Sequence, residues 1–171
     1  MKFKFKWSVF IYCALCNIPV CFFLTLASTI IGCTDLESGI LTINFNDINW
    51  IYFWINYAIS LVLAMCVGVF VPLTSIGRWF TGLFHVKNDT YTGNVPYRLL
   101  ATLITSLIYY LVITPTLSLL NYFAFKTVAT IDQVFLNMLI NFPFMLLVGF
   151  VSSLISDIFA FKVAHKVDPT L

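Results

Sequence analysis

Charge placement constrains this chain more than any other feature. No charged residue occurs between Lys6 and Asp35, or between Asp47 and Arg78. Two further charge-free runs lie between Arg98 and Lys126 and between Asp132 and Asp157. The apolar segments 7–31, 50–76, 99–125 and 134–161 each exceed the ~20 residues that cross about 30 Å of hydrocarbon. No water reaches that layer, so backbone groups must pair within each segment, and helices are expected. The runs are apolar on every face, unlike the alternating strands of a membrane barrel. Charged residues make up 9% of the chain, against about 25% in soluble domains. That excludes a soluble enzyme, a nucleic-acid binder and a disordered chain. The net charge of +2 is too small to imply a polyanionic partner.

Orientation is expected from Lys and Arg near the span ends. Lys2, Lys4, Lys6, Arg78, Lys87, Arg98, Lys162 and Lys166 fall on one side of the lipid bilayer. Lys126 falls on the other, with Asp35, Glu37, Asp47 and Asp132. Both termini are therefore expected in the cytoplasm. Trp7, Trp50, Trp54 and Trp79 sit near span ends, where amphipathic rings are favoured. In segment 73–84, Ile76, Trp79, Phe80, Leu83 and Phe84 share one side of a helix. That pattern predicts a lip lying in the cytoplasmic interface.

A rival reading starts from the three leading lysines. With Ile30-Ile31-Gly32-Cys33 they resemble a bacterial lipoprotein signal, cleaved before a lipidated Cys33. The apolar stretch of about 25 residues is too long for that, since a signal h-region has roughly 7–15.

Comparison of the chain with itself at an offset of 85 suggests an internal repeat. Tyr12 aligns with Tyr97, Leu26 with Leu111, and Ile55-Asn56 with Ile140-Asn141. Polar and small residues recur every fourth position in all four spans. The second span reads Asn56, Ser60, Ala64, Gly68, Pro72, and the fourth reads Asn141, Met145, Gly149, Ser153, Asp157. The first reads Cys13, Asn17, Cys21, Thr25, Thr29, and the third Arg98, Thr102, Ser106, Tyr110, Thr114. Four-residue spacing puts each set along one side of a helix. Small residues there let helices approach closely, and polar ones hydrogen-bond across.

The expected fold class is thus all-α: a polytopic membrane protein whose four transmembrane helices form two parallel two-helix repeats. Residues 1–84 would hold the first pair with its interfacial extension. Residues 85–96, rich in turn formers, would be a cytoplasmic linker, and 97–171 the second pair. Each unit carries Trp/Leu-Ile-Asn near its outer end, a small-residue seam, and a Gly/Pro or basic exit. The first runs from Trp54-Ile55-Asn56 through Gly68, Pro72, Gly77 and Arg78; the second from Leu139-Ile140-Asn141 through Gly149 to Lys162. This resembles a bacterial family of two-helix integral membrane domains of unknown function that also occur as tandem pairs. The resemblance implies the four-span count and no activity; the abundance of Phe, Ile, Asn and Tyr points to an AT-rich bacterial genome, and a bacterial inner membrane is the expected setting.

Candidates for chemistry are few. Cys13-x-x-Cys16 has redox or metal spacing, but buried Cys behaves as a small apolar residue, and a structural role is expected. Zinc would need further ligands, and His85 and His165 stand apart in sequence. No cofactor is implied. Asp157 is the one acid inside or near a span; an intramembrane carboxylate suggests a proton or cation site. Its place about one turn from the end, near Lys162, favours an interfacial acid that reaches water. Asn17, Asn56, Asn137 and Asn141 are expected to be interhelical glue, with a polar solute site as the sharper alternative. Asn88-Asp89-Thr90 is a glycosylation sequon by pattern, read as a cytoplasmic turn. No phosphate loop, zinc-protease helix or nucleophile elbow is present.

The leading expectation is a small non-enzymatic membrane protein that packs with itself as a homo-oligomer or with a partner subunit. A small-solute permease, with its site between the repeats, is the alternative, and a membrane immunity-type protein a third. The candidate seam is Asn56, Ser60, Ala64, Gly68, Asn141, Gly149, Ser153 and Asp157, with Asn17 and Asn137 secondary. Two stripes closed against each other across the bundle would leave no room for a solute. A polar cavity reaching mid-depth would favour transport.

Overall fold

A computed structural model of the chain describes residues 7–32, 34–37, 40–43, 46, 48–86, 95–125 and 130–167. The described residues include five α-helices: α1 (Trp7–Gly32), α2 (Trp50–Phe70), α3 (Leu73–Leu83), α4 (Val95–Leu120) and α5 (Ile131–Val167). A π-helical turn, Asn121–Phe125, extends α4. Four helices are long and apolar enough to cross a membrane: Phe10–Ile31, Trp50–Phe70, Val95–Phe123 and Ile131–Ala160. The all-helical, four-span polytopic architecture expected from the charge-free runs is the one observed. The lysines before residue 7, Cys33 of the cleavage box, Lys126 and the sequon at Asn88 lie outside the described residues.

The departures are local. Thr34–Glu37 and Ile40–Ile43 form two short strands, β1 and β2, in an antiparallel hairpin with Thr34 opposite Ile43. Pure helical reasoning missed it because each strand is only four residues long. The second span is also shorter than 50–76. The chain leaves helical geometry at Val71 (φ −91°, ψ 128°), the residue before Pro72, where ring sterics disfavour the helical region. At the other end, Asn49 caps α2: its side chain accepts from the Ile51 and Tyr52 amides at 3.1 and 3.3 Å. Such a cap satisfies helix donors otherwise left without partners.

The spans form a ring in the order α1, α2, α4, α5. The α1–α5 seam is the most extensive and the α2–α4 seam is slight, because α3 packs on α4 beside it. In α3, small residues face inward: Gly77 is buried, its would-be Cβ 3.4 Å from Ala101 Cβ, and Thr81 is fully buried. Trp79, Leu83 and Phe84 are exposed on its outer side. The chain then turns at His85, whose φ is 56°.

All four polar stripes face inward. Asn17, Cys21 and Thr25 on α1, Ser60 and Ala64 on α2, and Thr102, Ser106 and Tyr110 on α4 are buried. So are Met145, Gly149 and Asp157 on α5. Many hydroxyls bond the carbonyl one turn back in their own helix: Thr29 to Thr25, Thr105 to Ala101, Thr116 to Val112, Ser152 to Val148 and Ser156 to Ser152, at 2.6–2.8 Å. Two apolar clusters fill the half of the bundle nearer the hairpin, one around Cys21, Ala64 and Ile113, the other around Ala27, Tyr110 and Met145.

Candidate functional site

The other half of the bundle, where α1 begins and α5 ends, is not filled. A cavity of about 580 Å³ opens there, bordered by α1, α4, α5, the end of α2 and the start of α3. α1 contributes Tyr12, Cys13, Cys16, Asn17 and Val20. From α4 come Tyr97, Ala101, Thr102, Thr105 and Tyr109, and from α5 Ser153 and Asp157. The cavity exists because Gly68 and the Val71–Pro72 break end α2 early, and α3 spans the gap with Leu73, Thr74, Gly77 and Arg78 toward the space.

Asp157 anchors one wall. It is only 6% exposed, and Arg98 Nε stands 3.2 Å from its Oδ2. The Tyr12 hydroxyl donates to its other oxygen, and Arg98 Nη2 donates to the Leu154 carbonyl at 2.7 Å. Three helices are thereby tied at one end. This corrects the expectation of an interfacial acid beside Lys162: the carboxylate is buried, its partner is Arg98, and Lys162 is exposed a turn further on. The miss has a simple source. Helical periodicity gives the inward face of each span, not which residues on two faces meet. Arg98 and Asp157 already stood in the inward stripes of their spans, and matching their depths would have paired them.

Asn17 closes the cavity toward mid-depth. Its amide lies 3.4 Å from the Ala64 carbonyl and 3.5 Å from the Tyr109 hydroxyl. Cys13 Sγ lies 3.7 Å from the Gly68 carbonyl. Asn17, a secondary candidate from sequence, is thus the most central asparagine of the site. Asn56 is half-buried at the far end of α2, and Asn141 is half-buried on α5; neither lines the cavity. Asn137 is exposed, which removes it from the interior seam.

The two small-residue stripes do not close against each other. Ser60 lies 3.5 Å from Thr25 of α1, and a Cβ at Gly68 would meet Tyr109 and Cys13. On α5, Gly149 faces Leu24 of α1, and Ser153 accepts from Ser106 of α4 at 3.4 Å. Each stripe is a seam with α1 or α4; only Gly68 and Pro72 of one and Ser153 and Asp157 of the other border the open space, while Ala64 and Met145 are packed into the two apolar clusters. Small polar residues look alike in a closed seam and in a cavity wall, and the sequence could not tell these apart.

Asn56 offers a clean test of the glue reading. Its Oδ1 is buried with no hydrogen-bond partner among the described residues. Asn56→Leu should leave thermal stability within ~0.6 kcal/mol of the parent or raise it, since no interhelical bond is lost. A loss above about 1 kcal/mol in detergent unfolding would mean that Asn56 holds a bond of ordinary strength.

Of the four described cysteines, Cys13 and Cys16 line the cavity, Cys21 sits in the core and Cys66 is exposed on α2. Among the described residues no three His, Cys, Asp or Glu side chains converge on one point. No family model, curated protein or solved structure matches the chain.

Proposed function

We propose that this protein is a small-solute permease, or the membrane subunit of one, with its binding cavity between the α1–α2 and α4–α5 helix pairs. The observation that carries this reading is the 580 Å³ space bordered by Asn17 and Asp157. Ligand sites are typically 300–1,000 Å³, mainly apolar, with a few convergent polar groups. A protein serving only as packing surface has no need of a buried carboxylate and amide around an unfilled space, because intramembrane polar groups are costly. The excess of Lys and Arg on one side supports a cytoplasmic mouth and cytoplasmic termini, in a bacterial inner membrane. The pairing of α1 with α2 and α4 with α5, and four inward stripes in matching register, support descent from a repeated helix pair. The unequal α1–α5 and α2–α4 seams then mark where the second copy diverged.

Sided labelling tests the proposal. In Thr102→Cys, a membrane-impermeant methanethiosulfonate should modify residue 102 in inside-out vesicles and spare it in right-side-out vesicles. Labelling from neither side would return the protein to the packing class. Labelling only from the outside would invert the orientation. Reporter fusions at Ile40 and Thr90 give an independent reading, with Thr90 expected on the cytoplasmic side.

A further inference from the structure

Resting on the cavity reading above, we infer that the ligand is an uncharged amphiphile: an apolar body bearing an N–H or O–H donor, such as an amide or an alcohol. Three features of the cavity select this class. The first is charge. Asp157 faces the space, but Arg98 stands 3.2 Å from one of its oxygens and Tyr12 donates to the other. The remaining charged residue of the lining, among the described residues, is Arg78, which is exposed at the mouth. A cation beside Asp157 would have to displace Arg98 from its carboxylate. An anion would meet that carboxylate directly. Either would be desolvated without a counter-charge of its own, whereas a neutral ligand is not.

The second feature is the direction of the hydrogen bonds. Asn17 turns its amide N–H toward Ala64 and Tyr109, and the Cys13 thiol faces the Gly68 carbonyl. Thr105 donates to Ala101, and Tyr12 donates to Asp157. These donors are spent within the protein. The lone pairs of the Asp157 carboxylate and of the Thr105 hydroxyl remain beside the space, and the hydroxyls of Thr102, Tyr109 and Ser153 line it as well, so the wall offers acceptors and donors together. A neutral head that both donates and accepts, such as an amide or an alcohol, complements it, and an ester or ether, which only accepts, leaves the wall's acceptors unmet.

The third feature is the body of the pocket. Val20, Val69, Val71, Leu73 and the rings of Tyr97 and Tyr109 make up its walls. They accept an apolar or aromatic body of a size that the volume admits.

Four probes with one aromatic body and different heads test the class: phenylacetamide, phenethylammonium, phenylacetate and methyl phenylacetate. The full chain in lipid nanodiscs is treated with N-ethylmaleimide, and alkylation at each native cysteine is followed by peptide mass spectrometry. Cys13 and Cys16 report the cavity, and the exposed Cys66 is the control. Phenylacetamide at about ten times its dissociation constant should slow alkylation of Cys13 and Cys16 about tenfold by mass action, with Cys66 unchanged. The other three should slow it less than about twofold at the same concentration. Equal or better protection by the ammonium or the carboxylate would overturn the neutral class and leave the cavity standing. Protection by the methyl ester would overturn the need for a donor. Alkylation that none of the four slows would also overturn the inference. If native thiols react too slowly to follow, Thr102→Cys and Thr105→Cys supply faster reporters in the same wall. Failure of all four positions to react would overturn the cavity reading itself, and this inference with it.

Discussion

An Arg98→Leu chain should unfold more easily than the parent by about 3–5 kcal/mol, the cost of leaving a buried charge without its partner. The Asp157 side chain is 8% exposed, against 25% for Arg98, so the carboxylate has little access to water that could replace the guanidinium. Tyr12 would still donate one hydrogen bond, but a neutral hydroxyl does not cancel a charge. The Leu154 carbonyl would lose the bond from Arg98 Nη2 as well. Adding Asp157→Leu to the same chain should recover most of the loss, since replacing a whole buried ion pair by apolar side chains is often neutral. Denaturant titration of the four chains in detergent closes the cycle. A double variant no more stable than Arg98→Leu would show that the two side chains are not coupled.

The second large effect is expected at Gly68. A Cβ there would stand 3.0 Å from the Tyr109 hydroxyl and 3.2 Å from Cys13 Sγ. These atoms belong to two different helices, α4 and α1, so no single rotation relieves both. Tyr109 is further held by the Asn17 amide. Gly68→Leu should therefore cost about 1–3 kcal/mol by overpacking and push Tyr109 toward the cavity. Gly149 gives the contrast. Its Cβ would meet only Leu24, with Cδ2 at 3.4 Å, the end of a flexible side chain. Gly149→Ala should cost under about 1 kcal/mol, because Leu24 can change rotamer at little energy. Melting temperatures of the two variants in one detergent decide the ranking, and a more damaging Gly149→Ala would reverse the account of which seam is tighter.

These two cases also show where sequence reasoning reaches and where it stops. The inward face of every span was legible, because four-residue recurrence of small and polar residues survives in an otherwise apolar chain. A helix at α3 with an exposed apolar side was legible too, through the spacing of Trp79, Leu83 and Phe84. Contacts between spans were not. Asp157 had Lys162 nearby in sequence, and only the three-dimensional ring brings it Arg98 and Tyr12. Asn56 and Asn141 looked like the weightiest polar pair, yet the central amide is Asn17. What decided that was the early end of α2, which moved the open space to one end of the bundle. The preference against helix before Pro72 was readable, but its consequence for packing was not.

The hydroxyls that bond back to their own helix bear on how the protein is made. Thr29, Thr105, Thr116, Ser152 and Ser156 each find an acceptor one turn earlier in the same segment. A nascent span carrying them can pass from the translocation machinery into lipid alone, because those hydroxyls need no neighbour to satisfy them. Asp157 has no such local acceptor-donor arrangement; its partners come from α1 and α4. The α5 span thus depends on spans made before it for its charge to be met. Membrane insertion of α5 in isolation should be the inefficient step of biogenesis, and the ion pair with α4 is what ties its entry to assembly.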